Sequence, residues 1–193
     1  MPKTNLICGN SLEILPTFKN KEFDYFITSV PFKENEFGNE KYWENMNFII
    51  SELRRITSKA GFMFQSSTKM QEMYRRYPDI KRVLIWGKLP SMYAFRYEPI
   101  FVWQFGDFKV NKYLFKDLWV MPAILGNSNT YENPVKLYYE IMLKLPKGHV
   151  LDCFSGTGTT MKACRKLGMD FTGIDIEKNK PCFDKGLIPY MGD

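Results

Sequence analysis

The most constraining stretch of this chain is His149-Val150-Leu151-Asp152-Cys153-Phe154-Ser155-Gly156-Thr157-Gly158-Thr159-Thr160-Met161. A short apolar run ends in an acid, passes through two glycines spaced Gly-x-Gly, and continues into a segment, Met161 to Leu167, whose apolar residues recur at helical spacing. The pattern predicts a strand, a tight glycine turn and a helix. Such a turn brings backbone close to a ligand and aims the first N–H groups of the helix at it, although it can also serve only to pack strand on helix. A second strand follows Gly168 and ends in acid at Asp175, with Glu177 close behind. That acid stands about 20 residues beyond the glycines, the separation at which a carboxylate can take ribose hydroxyls.

Two familiar nucleotide sites fail at named positions. The dinucleotide fingerprint needs a glycine or alanine where this chain has Met161, and a phosphate loop needs Gly-Lys-Ser/Thr, a triplet that does not occur. A cofactor with a ribose but no pyrophosphate fits better. S-adenosylmethionine has an adenosine whose ribose suits the acid, and an amino-acid tail that can be held near Asp152 and the turn.

The rest of the chain alternates strand and helix. Thr4 to Cys8 reads as a strand leading through Gly9 into a short helix capped by Asn10 or Ser11. Glu22 to Thr28 is a strong strand running into Ser29-Val30-Pro31-Phe32, and a polar residue at a strand's carboxyl end is where parallel sheets place ligands. Residues 33–41 are polar. A helix is predicted from Trp43 onward, stopping before Ala60-Gly61, then a strand at 62–65, a short helix with Met70, Met73, Tyr74 and Tyr77 on a core face, and strands at 82–86 and 98–104 that pair antiparallel. Regular signals thin out from Gly106 to Asn133, longer than a passive connection usually is. Asn133-Pro134 reads as a cap with proline at the first helical position, before an amphipathic helix closed by Pro146. The alternation argues an α/β fold with a largely parallel sheet.

Composition sets outer limits. With 193 residues, 45% hydrophobic and 16% aromatic, the chain can bury one substantial core, and one domain over 1–193 is expected. A net charge of +6 permits nucleic-acid binding without requiring it. Cys8, Cys153, Cys164 and Cys182 form no Cys-x-x-Cys pair and His149 is the only histidine, so no metal site is expected and the cysteines read as small buried residues. No run reaches membrane-spanning length and no signal-peptide pattern opens the chain, which predicts no membrane association and a cytoplasmic location.

Taken together these residues resemble the amino-methylating DNA methyltransferases, which methylate N4 of cytosine or N6 of adenine, in the permuted order with the catalytic motif before the cofactor motif. Four pieces match in order. They are Gly9 to Glu13 with Asp24 to Phe32; Glu52 to Arg55 leading to Ala60-Gly61-Phe62; Arg96 to Val102; and Asn133-Pro134 through Leu151 to Thr160. The resemblance implies a Rossmann-like, seven-stranded, mostly parallel sheet with helices on both faces. It also implies S-adenosylmethionine as cofactor, and a prokaryotic or phage-like DNA-modification setting.

The same resemblance assigns roles. Asp152, Phe154, Ser155, Gly156 and Gly158 fall on the cofactor motif, with Thr159 and Thr160 at the helix start where N–H groups meet the methionine carboxylate. Asp175 is the ribose acid, and Asn10 stands where the family often has Asp beside the adenine ring. Ser29-Val30-Pro31-Phe32 falls on the catalytic tetrapeptide. There the Ser29 hydroxyl and the Val30 carbonyl would take the two hydrogens of the target amino group, and Phe32 would stack on a base flipped out of DNA.

Several departures from the family pattern stand out. Val30 replaces a proline, though Pro31 after it still biases Val30 to extended backbone and its carbonyl is retained. Of the usual His-Pro-x-x-Lys-Pro, which would fall on 129–134, only Pro134 is present. The target-recognition segment is reduced to 106–133, with Lys109, Lys112 and Lys116, which implies a short recognition sequence or a specificity partner, a second copy included. Ser29 inclines the reading towards cytosine. A C5-cytosine enzyme is excluded, because the one Pro-Cys pair, Pro181-Cys182, follows the ribose acid. A non-catalytic nucleic-acid-binding protein and an RNA methyltransferase are the alternatives.

Overall fold

A computed structural model describes residues 2–31, 41–89, 96–109, 116–125 and 131–176. The expectations placed on Phe32, Lys112, Glu177 and Cys182 fall outside these residues, as do those for 126–130 and most of the polar tract at 33–41.

The chain runs β1 (Thr4–Cys8), α1 (Ser11–Ile14), β2 (Phe23–Ser29), α2 (Tyr42–Ile56), β3 (Thr57–Phe64), α3 (Met70–Arg76), β4 (Arg82–Gly87) and β5 (Tyr97–Gln104). It continues through β6 (Leu118–Val120), β7 (Ile124–Leu125), β8 (Tyr131–Glu132), α4 (Val135–Met142), β9 (His149–Asp152), α5 (Thr159–Leu167) and β10 (Asp170–Asp175). The main sheet has the order β1-β10-β9-β2-β3-β5-β4-β6, and β7 and β8 form a separate hairpin. Only β5 runs antiparallel, against β3 on one side and β4 on the other, as its short connection to β4 requires.

Alternation along the strands splits the core into two layers. Tyr25, Ile27, Phe62, Phe64, Ile100 and Val102 face one cluster, covered by α4 and α5. Phe23, Phe26, Met63, Phe101 and Trp103 face the other, covered by α2 and α3. α2 supplies Met46, Ile49, Ile50, Leu53 and Ile56 to that layer, all at most 1% exposed, which is the 3.6-residue spacing read in the sequence.

Several expectations are corrected. The main sheet has eight strands rather than seven, because Leu118-Trp119-Val120 adds β6 beside β4. Three residues are too few to show periodicity, yet Trp119 is 5% exposed and Asp117 pairs with Arg82, which fixes the strand's register. β3 starts at Thr57 without a loop after α2, not at 62. Pro134 is itself the N-cap of α4, and the Asn133 side chain instead reaches Tyr138. Cys8 and Tyr74 are exposed rather than buried. His149 packs edge-on against Phe23 and its Nε2 lies 2.9 Å from Thr172 Oγ1, a structural place at the start of β9.

The order places the functional edge. From β9 the sheet grows outward through β10 and β1, and from β2 through β3, so the direction reverses between β9 and β2. Ligands of open α/β sheets bind beyond the strand carboxyl ends at such a reversal. Asp152 ends β9 and Ser29 ends β2.

Gly61 in the middle of β3 lies directly beneath the Phe26 ring, where an added Cβ would overlap the ring carbons. Gly61→Ala is therefore expected to lower the urea midpoint, with a cost of about 1–3 kcal/mol from overpacking. An unchanged midpoint would show that the Phe26 contact is looser than described.

Candidate active site

Asp152 is 3% exposed and its carboxylate is fully engaged by the protein. Thr28 Oγ1 donates to Oδ1 at 2.8 Å, the Phe154 N–H donates to the same oxygen at 3.1 Å, and Thr160 Oγ1 donates to Oδ2 at 2.5 Å. One side chain thus ties together the end of β2, the glycine turn and the first turn of α5. Burial pushes its pKa up to about 6, against the pull of the three hydrogen bonds.

The turn itself needs its glycines. Gly156 and Gly158 have φ of 50° and 78°, the left-handed region that side chains with a Cβ adopt at a cost. Ser155 is buried, and its hydroxyl donates to the Asp152 and Ile174 carbonyls at 3.2 and 3.0 Å, so it fastens the turn to β10. The Asp175 carboxylate accepts the Gly156 N–H at 2.8 Å, and the Asp175 carbonyl accepts the Gly9 N–H at 2.9 Å. Ser11 Oγ donates to the Cys153 carbonyl at 2.5 Å. Three strand ends, β1, β10 and β9, are thereby locked into one edge. Asn10 caps α1, its Oδ1 accepting the Leu12 N–H at 3.0 Å.

These residues fit the tail and ribose of S-adenosylmethionine. Among the described residues no side chain caps α5 at Gly158, so its first N–H groups suit a carboxylate, and an acid stands at the end of the adjoining strand. Phe154, half-buried, packs against the layer below the turn.

At the neighbouring strand end, Ser29 is half-buried and in register with Phe64 of β3, whose ring stacks on Tyr138 of α4 at 4.6 Å. Val30 is 2% exposed in the α2-side layer, and its N–H, which a proline would lack, donates to the Phe64 carbonyl at 3.4 Å. Valine is thus accommodated at this position. Pro31 is held from behind: its carbonyl accepts the Tyr42 hydroxyl at 3.3 Å, and that hydroxyl accepts Gln65 Nε2 at 2.8 Å. Sequence reasoning named Asp152, Ser155 and Asp175 but missed Thr28, Tyr42 and Gln65. Thr28 offered one signal, a polar residue inside an otherwise apolar run.

Asp152 carries a stability consequence with a definite sign. Its folded pKa lies above the ordinary carboxylate value, so the stabilisation belongs to the protonated form and is lost as pH rises from about 4 through about 6; at pH 7 the buried charge costs on the order of 2–3 kcal/mol. Asp152→Asn keeps the shape and is expected to match or exceed the wild-type unfolding free energy at pH 7–8, with the difference closing towards about pH 4.5. Urea denaturation across that range checks this, and a variant markedly less stable than wild type at about pH 8 would contradict it.

Comparison with known proteins bears on the whole chain. Residues 96–180 match the N6/N4 methylase family, described as DNA methylase. Among curated proteins no sequence match is found. Solved structures share the fold. TTHA0409, a putative DNA modification methylase from Thermus thermophilus complexed with S-adenosyl-L-methionine, is 18% identical with a TM-score of 0.74, over 95% of this chain and 92% of that one. PvuII DNA methyltransferase, cytosine-N4-specific, is 14% identical with a TM-score of 0.79, over 99% and 88%. The M1.HpyAVI complex with S-adenosylmethionine is 20% identical with a TM-score of 0.70, over 96% and 100%. The chain has the fold of these methylase structures, and its stretch 96–180 is similar to the N6/N4 methylase family.

Proposed function

We propose that the chain, acting as one methyltransferase domain over 1–193, transfers a methyl group from S-adenosylmethionine to the exocyclic amino nitrogen of a base flipped out of DNA, N4 of cytosine or N6 of adenine. The observation that carries this reading is the adjacency of two strand ends: β9 with its glycine turn and β2 with Ser29, joined by the Thr28–Asp152 hydrogen bond.

Asp175 would hold the ribose, the open N-terminus of α5 with Thr159 and Thr160 the carboxylate of the tail, and Asn10 and Phe154 would flank the nucleoside. When bound, S-adenosylmethionine supplies an electrophilic sulfonium methyl. The protein's task is on the other partner. An exocyclic amino nitrogen is a poor nucleophile because its lone pair is delocalised into the ring. Ser29 Oγ and the Val30 carbonyl accept its two N–H hydrogens, which favours the tetrahedral form, and Phe32 stacks on the extruded base. The new N–C bond forms as the C–S bond breaks, and the extra proton on nitrogen leaves to solvent. No metal is needed, and among the described residues no cluster of metal-ligating side chains occurs.

The segment 106–133 serves as a reduced target-recognition element. Lys116 from it, with Lys136 and Lys144, borders a cleft that also carries Tyr139 and the Glu140 carboxylate, a predominantly cationic surface suited to a nucleic-acid backbone. A short element of this kind suits a short recognition sequence, or specificity shared with a second copy or another subunit. Among the described residues no helix is long and apolar enough to cross a membrane. We place the enzyme with its DNA in the cytoplasm. The Ser29 hydroxyl inclines the target towards cytosine.

Incubation with methyl-labelled cofactor and DNA, followed by nucleoside mass spectrometry, tests the reading. N4-methylcytosine or N6-methyladenine is expected, and Ser29→Ala should lower the single-turnover rate by about 100-fold, as loss of one aligned hydrogen-bonding group does elsewhere. Label appearing only in RNA would move the substrate. No transfer to either nucleic acid would favour a binding protein without catalysis.

A further inference from the structure

The hydroxyl of Tyr42, the first residue of α2, reaches Pro31 from behind, and its neighbours fix the direction of its proton. Gln65 follows β3 and is fully buried, and its backbone N–H donates to the Pro99 carbonyl of β5 at 3.2 Å, which ties it to the sheet. Its side-chain Oε1 accepts the Ser66 N–H at 2.7 Å, so the end of the amide turned to Tyr42, 2.8 Å away, is the NH2 group. The reverse orientation would set donor against donor at Ser66. Tyr42 Oη therefore accepts from Gln65, and its single proton goes to the Pro31 carbonyl at 3.3 Å, a group that can only accept. With Tyr42 1% exposed, water does not compete for either bond.

What this relay controls is a peptide group. Val30 lies one residue past the last pairing of β2 with β3, that of Ser29 with Phe64. Its N–H is fixed on the Phe64 carbonyl, but its own carbonyl belongs to the next peptide, between Val30 and Pro31. Beyond that peptide the proline ring locks φ of Pro31, so the soft torsion on that side is ψ of Pro31, and the Tyr42 bond holds the carbonyl that ψ turns. The Val30–Pro31 peptide is thus anchored at both ends. We infer that Tyr42, aimed by Gln65, is a positioning residue that keeps the Val30 carbonyl directed at the amino group of the target base. The inference rests on the methyltransferase reading above. Hydrogen bonds weaken steeply once they bend, so a carbonyl free to swing loses its hold on the target N–H without any loss of the pocket itself.

Tyr42→Phe keeps the ring in its layer and removes only the oxygen. Tyr77→Phe is the matched control: Tyr77 is 4% exposed in the same layer, and its hydroxyl donates to Asn47 Oδ1 at 2.7 Å, joining the end of α3 to α2. Each variant loses one buried hydrogen bond and stays folded, which urea midpoints check. In single-turnover assays at saturating cofactor and DNA, Tyr42→Phe is expected about 5- to 30-fold below wild type and Tyr77→Phe within about 2-fold. Titrated affinity for S-adenosylmethionine should stay within about 2-fold in both, since only an orientation used in the reaction is lost. A Tyr42→Phe rate within about 2-fold of wild type, an equal loss in Tyr77→Phe, or a loss that vanishes at saturating cofactor would overturn the inference and leave the function standing. A wild-type protein that transfers no methyl group would overturn the function and this inference with it.

Discussion

The site depends on one buried carboxylate. Asp152 ends β9 at the place where the sheet's order reverses, and it gathers Thr28 from β2, the Phe154 N–H from the glycine turn and Thr160 from α5. Ionised carboxylates are rarely sealed from water unless hydrogen bonds compensate, and here three donors do so while the pKa still rises to about 6. The residual cost is tolerated where a simple apolar contact would have been more stable. That pattern is typical of positions kept for ligand chemistry. It also explains why the turn is shaped as it is: Gly156 and Gly158 take left-handed backbone so that the chain can pass over Asp152 and enter α5 with its N-terminus open.

From this centre the edge is built outward by hydrogen bonds between loops. Ser155 binds β10, Asp175 receives Gly156, Gly9 reaches back to Asp175, and Ser11 reaches Cys153. On the other flank Pro31 is held by Tyr42 and Gln65. The valine at position 30, the main departure in the proposed catalytic tetrapeptide, fits this frame: its side chain enters the α2-side layer and its N–H finds the Phe64 carbonyl. What the proposed role needs from that residue is a backbone oxygen in extended geometry, which Pro31 favours.

Much of this was legible before any coordinates. The strand, glycine turn and helix at 149–167 stood out because three independent signals coincide there: an apolar run, two glycines and a helical apolar stripe. The antiparallel β4–β5 pair followed from the lack of a crossover helix. Other features left no local trace. Nothing in residue spacing brings Thr28 beside Asp152, since more than a hundred residues separate them and only the pairing of β2 with β9 joins them. β6 is too short for its alternation to be read, and Tyr138 looks like any core residue on an amphipathic helix until its ring is seen stacked on Phe64, the register partner of Ser29. The sequence offers Asn10 two roles, as a cap and as an adenine neighbour. The cap is realised through Oδ1, and its amide nitrogen is the part left for the second role.

The central claim is that the β9 edge is a cradle for S-adenosylmethionine and not merely a way to pack α5 on the sheet. Isothermal titration of the wild-type chain with S-adenosylmethionine, without DNA, tests it most directly. The account predicts one site per chain with Kd on the order of 1–100 μM, and loss of most of that affinity in Asp175→Ala with the fold retained. A flat titration at cofactor concentrations near about 1 mM, on the order of −4 kcal/mol or weaker, would contradict it and leave the turn with a packing role alone.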